Sequence, residues 1–186
     1  MTFTEYLKSI NACSNAIEWA ESKTIEEVVA TCHRGDWLLW LAFKCDIGLQ
    51  PLTLAKGHCA NTVRHLMNDD RSIKAVDAAI AFGEGRATGE QLDAADAAGH
   101  AAAYADVAAD AYYDADAYAA YAAARAAAYA ADAAGHATAA YAADAADAYY
   151  DADAAAAIEN RLQTADICRQ YIGDLIIQKV NSILNP

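Results

Sequence analysis

The stretch from Asp93 to Ala157 constrains this chain more than any other, because 38 of its 65 residues are alanine, 11 are aspartate and 9 are tyrosine. Alanine is the best helix former, so the tract is expected to be helical although aspartate is a poor interior residue. It also repeats. Asp96-Ala-Ala-Gly-His100 recurs 36 residues on as Asp132-Ala-Ala-Gly-His136, and Asp110-Ala-Tyr-Tyr-Asp-Ala-Asp116 recurs 37 residues on as Asp147-Ala-Tyr-Tyr-Asp-Ala-Asp153. One continuous helix would run roughly 100 Å at about 1.5 Å per residue. Uninterrupted helices longer than about 25 residues are uncommon in compact domains, so breaks are expected near 114–117 and 151–154.

The rest of the chain also reads as helix. It holds two prolines, Pro51 and Pro186, and no run alternates apolar and polar residues as a strand would. From Thr4 to about Ala20, the residues Tyr6, Leu7, Ile10, Cys13, Ile17 and Ala20 form one stripe expected to be buried. Thr24 followed by Glu27 is a capping box opening a helix through Val28, Val29 and Cys32, with Gly35 as its stop. Asp36 is placed to cap the next helix, which carries Trp37, Leu38, Trp40, Leu41 and Phe43. Pro51 suits the first turn of a fourth helix through Leu52, Leu54, Cys59, Val63 and Leu66. Ser72 can cap a fifth, through Ile73, Val76 and Ile80, ending near Gly83 and Gly85. Thr88 with Gln91 gives a second capping box at the entrance to the alanine tract. After the tract, Ile158 to Leu184 is amphipathic through Leu162, Ile167, Tyr171, Leu175, Ile176, Val180 and Ile183. An all-α, antiparallel multi-helix bundle in one domain, 1–186, is therefore expected, with anchor-rich helices in 1–86, acidic alanine-rich helices in 87–157 and a C-terminal amphipathic helix in 158–186. Trp19, Trp37, Leu38, Trp40 and Phe43 concentrate the large core anchors in the first part.

Charge is partitioned the same way. Residues 1–86 carry nine basic and eleven acidic side chains, and residues 158–186 carry three of each. Residues 87–157 carry one basic residue, Arg125, against twelve acidic ones, so they hold a net −11 of the chain's −13. A field of that sign repels nucleic acid and favours basic partners, so direct nucleic-acid binding is not expected. A membrane span is not expected either, because aspartate interrupts the alanines every few residues. The N-terminal run Met1-Thr-Phe-Thr-Glu-Tyr-Leu-Lys8 lacks the basic and apolar regions of a secretory signal. The five cysteines, Cys13, Cys32, Cys45, Cys59 and Cys168, are odd in number and form no Cys-x-x-Cys pair, which points to free thiols in a reducing cytoplasm.

Candidate chemistry is sparse. Cys32, His33, Cys45, His58, Cys59 and His65 match no zinc-ligand spacing, and their cysteines fall on stripes expected to be buried. No phosphate loop, nucleophile elbow or His-Glu-x-x-His is present, so neither an enzyme nor a cofactor is expected. Arg34-Gly35-Asp36 reads as a turn, with the arginine free to pair with a carboxylate, and Trp37 and Trp40 share a helix face that is more often core than binding site. The acidic tract is the stronger functional candidate. Asp106, Asp110 and Asp114 follow at i+4, about 6 Å apart along one helix face, and Asp144, Asp147 and Asp151 form a second row. Like charges at that spacing destabilise a helix, whereas solubility is available from mixed charges without that cost. Rows of carboxylates beside Tyr113 and Tyr150 suit a basic protein surface, since tyrosine anchors interfaces and stacks under arginine. The bland alternative is that tyrosines wedge between alanine-rich helices while aspartates keep them soluble.

Ala12-Cys-Ser-Asn-Ala-Ile-Glu-Trp19, Thr24-Ile-Glu-Glu27 and Cys32-His-Arg-Gly-Asp-Trp-Leu-Leu-Trp-Leu41 resemble a family of immunity proteins from bacterial polymorphic-toxin systems, also found in phages. Its members pair an Arg-Gly-Asp-Trp-x-Leu-Trp block with an alanine- and tyrosine-rich tract. Ala79–Leu92 and Ala165–Ile172 are similar to the segments flanking that tract. The aspartate richness here departs from the family pattern. The resemblance implies an inhibitor that binds and neutralises a toxin. On that reading Arg34, Asp36, Trp37 and Trp40 hold the N-terminal helices together while the Asp/Tyr rows meet the partner, and a homo-oligomer is compatible. The rival reading is a phage-encoded antagonist of a bacterial defence system whose aspartate rows imitate DNA phosphates. A cysteine-dependent enzyme is a third class, without a motif of its own.

Overall fold

A computed structural model describes residues 1–108, Arg125, Ala130 and residues 154–186. Among these the chain is all-helical, with no strand: α1 (Phe3–Ser9), α2 (Ser14–Trp19), α3 (Ile25–Thr31), α4 (Gly35–Lys44), α5 (Leu49–Asn61), a short 3₁₀ turn (Arg64–Leu66), α6 (Asp70–Gly83), α7 (Gly89–Ala108) and α8 (Ala154–Leu184). No helix among the described residues is long and apolar enough to cross a membrane. The expected breaks near 114–117 and 151–154 lie essentially outside the described residues, which resume at Ala154.

Both expected capping boxes form. The Glu27 N–H donates to Thr24 Oγ1 at 3.3 Å while the Thr24 N–H donates to the Glu27 carboxylate at 2.8 Å. Thr88 and Gln91 exchange the same bonds at 2.9 and 3.3 Å. A third box, Thr2 with Glu5, opens α1. Pro51 sits in the first turn of α5, and α6 ends at Gly83 as expected.

Several boundaries differ from expectation, each for a local reason. The stripe from Thr4 to Ala20 is two helices, because the chain reverses at Asn11, which holds a φ of 60°. There the Asn11 N–H donates to Lys8 O and the Ala12 N–H to Leu7 O, a Schellman closure that an asparagine tolerates without glycine. Cys13 consequently lands in the α1–α2 connection and is exposed, not buried. Gly35 does not stop α3, which ends at Thr31; it opens α4. Asp36 therefore sits inside the first turn and pairs with Arg34 instead of capping. Asp69, not Ser72, caps α6, and Ser72 is buried one turn in.

Two apolar clusters share α5. The first joins α1, α3, α4, α5 and α8 through residues such as Tyr6, Val28, Leu38, Leu39, Cys59, Ile172 and Ile176. The second joins α5, α6 and α7 through Ala60, Val76, Ala79, Phe82 and Leu92, together with Val63 just past α5, and Ala130 of the alanine tract belongs to it. Helix α5 is thus covered by α6 on one side and α8 on the other. That explains why Thr53 and Lys56 are as inaccessible as Leu52, and the Lys56 side chain is engaged with a neighbour there. Glycine permits the tightest crossing between α5 and α6, for a Cβ on Gly83 would stand 2.7 Å from Leu54 Cα. The buried line of α8 runs Ala165, Cys168, Ile172, Ile176 and Val180. Leu162, expected on that line, is 45% exposed, as is Ile158 at 57%, because the line through Ala165 passes it by.

Candidate functional site

The Arg34-Gly35-Asp36-Trp37 turn is the best-built polar feature among the described residues. Arg34 grips Asp36 in bidentate fashion, Nε donating to Oδ1 at 2.7 Å and Nη2 to Oδ2 at 2.6 Å. The Asp36 side chain is only 10% exposed and that of Arg34 26%, so the pair is partly desolvated and its two parallel bonds fix the turn. The guanidinium also lies 5.2 Å above the Trp37 ring.

Helix α8 clamps this turn from behind. Arg169 Nη1 donates to Cys32 O at 2.6 Å, and the Cys168 thiol donates to Gly35 O at 3.6 Å. Gly35 lies so close to α8 that a Cβ there would stand 2.6 Å from Thr164 Oγ1 and 2.7 Å from the Thr164 backbone carbon. Only glycine fits that crossing, so the block is spelled by packing as well as by any partner it meets.

In front of the turn, α1, α2, α3 and α4 line a half-open cavity of about 300 Å³. Phe3, Leu7, Trp19, Trp37 and Trp40 wall it, and Asp36 reaches it from the ion pair. Trp19 and Trp37 meet edge-on with centroids 6.0 Å apart, and His33 packs on both at 5.9 and 6.4 Å. The sequence placed Trp37 and Trp40 in the core beside Leu38. The structure buries Leu38 and Leu39 fully but leaves all three tryptophans half-buried around the cavity. Phe3 and Arg169 escaped the sequence reading. Phe3 is signalled by its spacing to Tyr6 and Leu7, whereas nothing local marks Arg169 as a partner of Cys32.

The thiols offer little nucleophilic chemistry. Burial pushes Cys32 and Cys45 up to about 11. Cys168 is raised by complete burial and by its hydrogen bond with Cys59, their sulfurs 3.9 Å apart. All five cysteines are free. Among the described residues no group of three histidine, cysteine or acidic side chains is arranged to hold a metal ion.

Of the residues expected to contact a partner, Asp106 falls on α7, while Asp110, Tyr113, Asp114, Asp144, Asp147, Tyr150 and Asp151 lie outside the described residues. Comparison with known proteins finds no matching family, curated protein or solved structure.

Proposed function

We propose that this protein neutralises a cognate effector or toxin by occupying a basic surface of it with the acidic alanine-rich segment. The observation that carries this reading is the partition of charge, with a net −11 in residues 87–157 and near balance on either side. Such a concentrated field attracts a basic surface over about one Debye length and speeds encounter. The segment begins with α7, which packs on α6, and runs into α8, which packs on α3, α4 and α5, so both its ends are anchored on folded scaffold. Arg34 and Asp36 serve that scaffold.

The test replaces Asp106, Asp110 and Asp114 together by asparagine, and separately Asp144, Asp147 and Asp151. The partner is first isolated from the native host and its affinity then titrated against salt. Each triple variant should bind more weakly at low salt and show a flatter salt dependence, because screening shortens from about 10 Å at 0.1 M to about 3 Å at 1 M. Helix content should be unchanged. Equal binding by the parent and both variants at low and high salt would reduce the acidic face to a solubility device. Displacement of the partner by duplex DNA would mark it as a nucleic-acid-binding protein and favour the DNA-imitating antagonist.

A further inference from the structure

The cavity in front of the Arg34–Asp36 pair has the dimensions and chemistry of a ligand site. Its volume, about 300 Å³, lies at the small end of the range for small-molecule pockets, and four helices contribute to its walls. An elongated groove for a partner helix would need anchors repeated over two or more turns, which a half-open site of about 300 Å³ does not offer. All three tryptophans of the chain line this one cavity and remain half-buried, while Leu38 and Leu39 next to them in α4 are wholly enclosed.

The charges select the occupant. Indole faces and a carboxylate would ordinarily suggest a cation. Here each tryptophan already has one: Lys23 Nζ lies 4.5 Å from the Trp19 centroid, Arg34 lies 5.2 Å from Trp37, and Lys44 Nζ lies 5.6 Å from Trp40. The Asp36 charge is met by Arg34 through both oxygens. Burial keeps the lining Cys32 as a neutral thiol. A second cation would compete with these pairings, and an anion would face Asp36. Each Asp36 oxygen nevertheless keeps a lone pair that can accept one more hydrogen bond.

We propose that this cavity binds a small neutral aromatic molecule carrying one hydrogen-bond donor, of the phenol class, with the ring packed against the touching Trp19–Trp37 pair and Trp40 and the donor on the Asp36 carboxylate. No described residue of 87–157 lines the cavity, and the ligand is titrated without any effector present.

The tryptophans supply the readout, for the chain gives three indole N–H signals in a nitrogen–proton correlation spectrum and all three report on this cavity. Titration of the full chain with p-cresol should shift them saturably, with half-saturation at or below about 1 mM for a ligand of this size. Toluene, which lacks the donor, should bind about tenfold more weakly, the cost of losing a hydrogen bond to a charged group. Benzylammonium should bind more weakly still. Ala16→Leu, which places bulk in the cavity from α2, should abolish the p-cresol shifts with helix content retained. Ala12→Val gives the same test from the neighbouring wall. Absence of saturable shifts, equal affinity for p-cresol and toluene, tighter binding of benzylammonium, or unaltered p-cresol binding in a folded Ala16→Leu or Ala12→Val variant would each overturn the assignment.

Discussion

At the scale of single residues, Gly35 shows how a sequence feature can be read in the right place with the wrong cause. A glycine before a tryptophan-rich run reads as a helix stop, yet its role is to let α4 touch α8. Gly35→Ala should therefore lower stability by about 1–3 kcal/mol, the usual cost of forcing extra volume into a closed contact. The measurement is a urea melt showing a lower midpoint with unchanged slope. Trimming the opposite side chain in Gly35→Ala/Thr164→Ala should restore only part of the loss, because the Thr164 backbone carbon is itself 2.7 Å from where the new Cβ would stand. Full restoration would show that the contact is side chain alone. Asp36 belongs to the same lesson. An acidic residue at a helix start suggests a cap, but Arg34 two residues earlier offers a charge-assisted pair, and two such bonds outcompete one cap.

At the scale of elements, local chemistry was the most legible part of the chain. Thr24 with Glu27, Thr88 with Gln91, and Pro51 each marked a helix start that the structure contains, because caps are made within one turn of sequence. Helix ends were legible only where glycine made them. Gly85, with φ of 73°, closes α6, its N–H donating to Phe82 O and that of Arg86 to Ala81 O. The same closure ends α4 at Asp46, with φ of 54°, where the Asp46 N–H donates to Phe43 O and that of Ile47 to Ala42 O. A left-handed aspartate carries the steric cost that glycine avoids. Asp46→Gly should accordingly raise stability by roughly 0.5–1 kcal/mol, read as a higher melting midpoint, since the residue is exposed. A lower midpoint would mean that the Asp46 carboxylate contributes more than its backbone costs. The Asn11 and Asp46 ends passed unnoticed because asparagine and aspartate announce many structures, of which a left-handed cap is one.

At the scale of the whole molecule, the composition predicted helices but not their neighbours. Nothing local in Cys168, Arg169 or Thr164 says that they meet Gly35 and Cys32, so the docking of α8 was invisible in sequence. The thiols report on that assembly. Cys13 is exposed while Cys32, Cys45, Cys59 and Cys168 are buried. An aromatic disulfide reagent should therefore modify one of the five thiols quickly in the native protein and all five in guanidinium. Cys13→Ser should remove the fast phase. The slow phase then measures opening of the core, because a buried thiol reacts only when it is exposed. Fast reaction of Cys59 or Cys168 as well would place the α5–α8 contact among the easily opened parts of the structure.

The placement of α8 also has a consequence in time. Cys59 meets Cys168 across 109 residues, and the Cys168 thiol meets Gly35 O across 133. A ribosome adding about 5–20 residues per second needs roughly 5–20 s to travel from the first of those cysteines to the second. Through that interval α3, α4 and α5 have been made but the helix that covers them has not. Their apolar faces stand open to whatever else is nearby, and the acidic segment is the stretch being synthesised meanwhile. The net −11 in residues 87–157 is thus attached to the uncovered helices at the stage when self-association is easiest, and like charge on neighbouring nascent chains opposes that association.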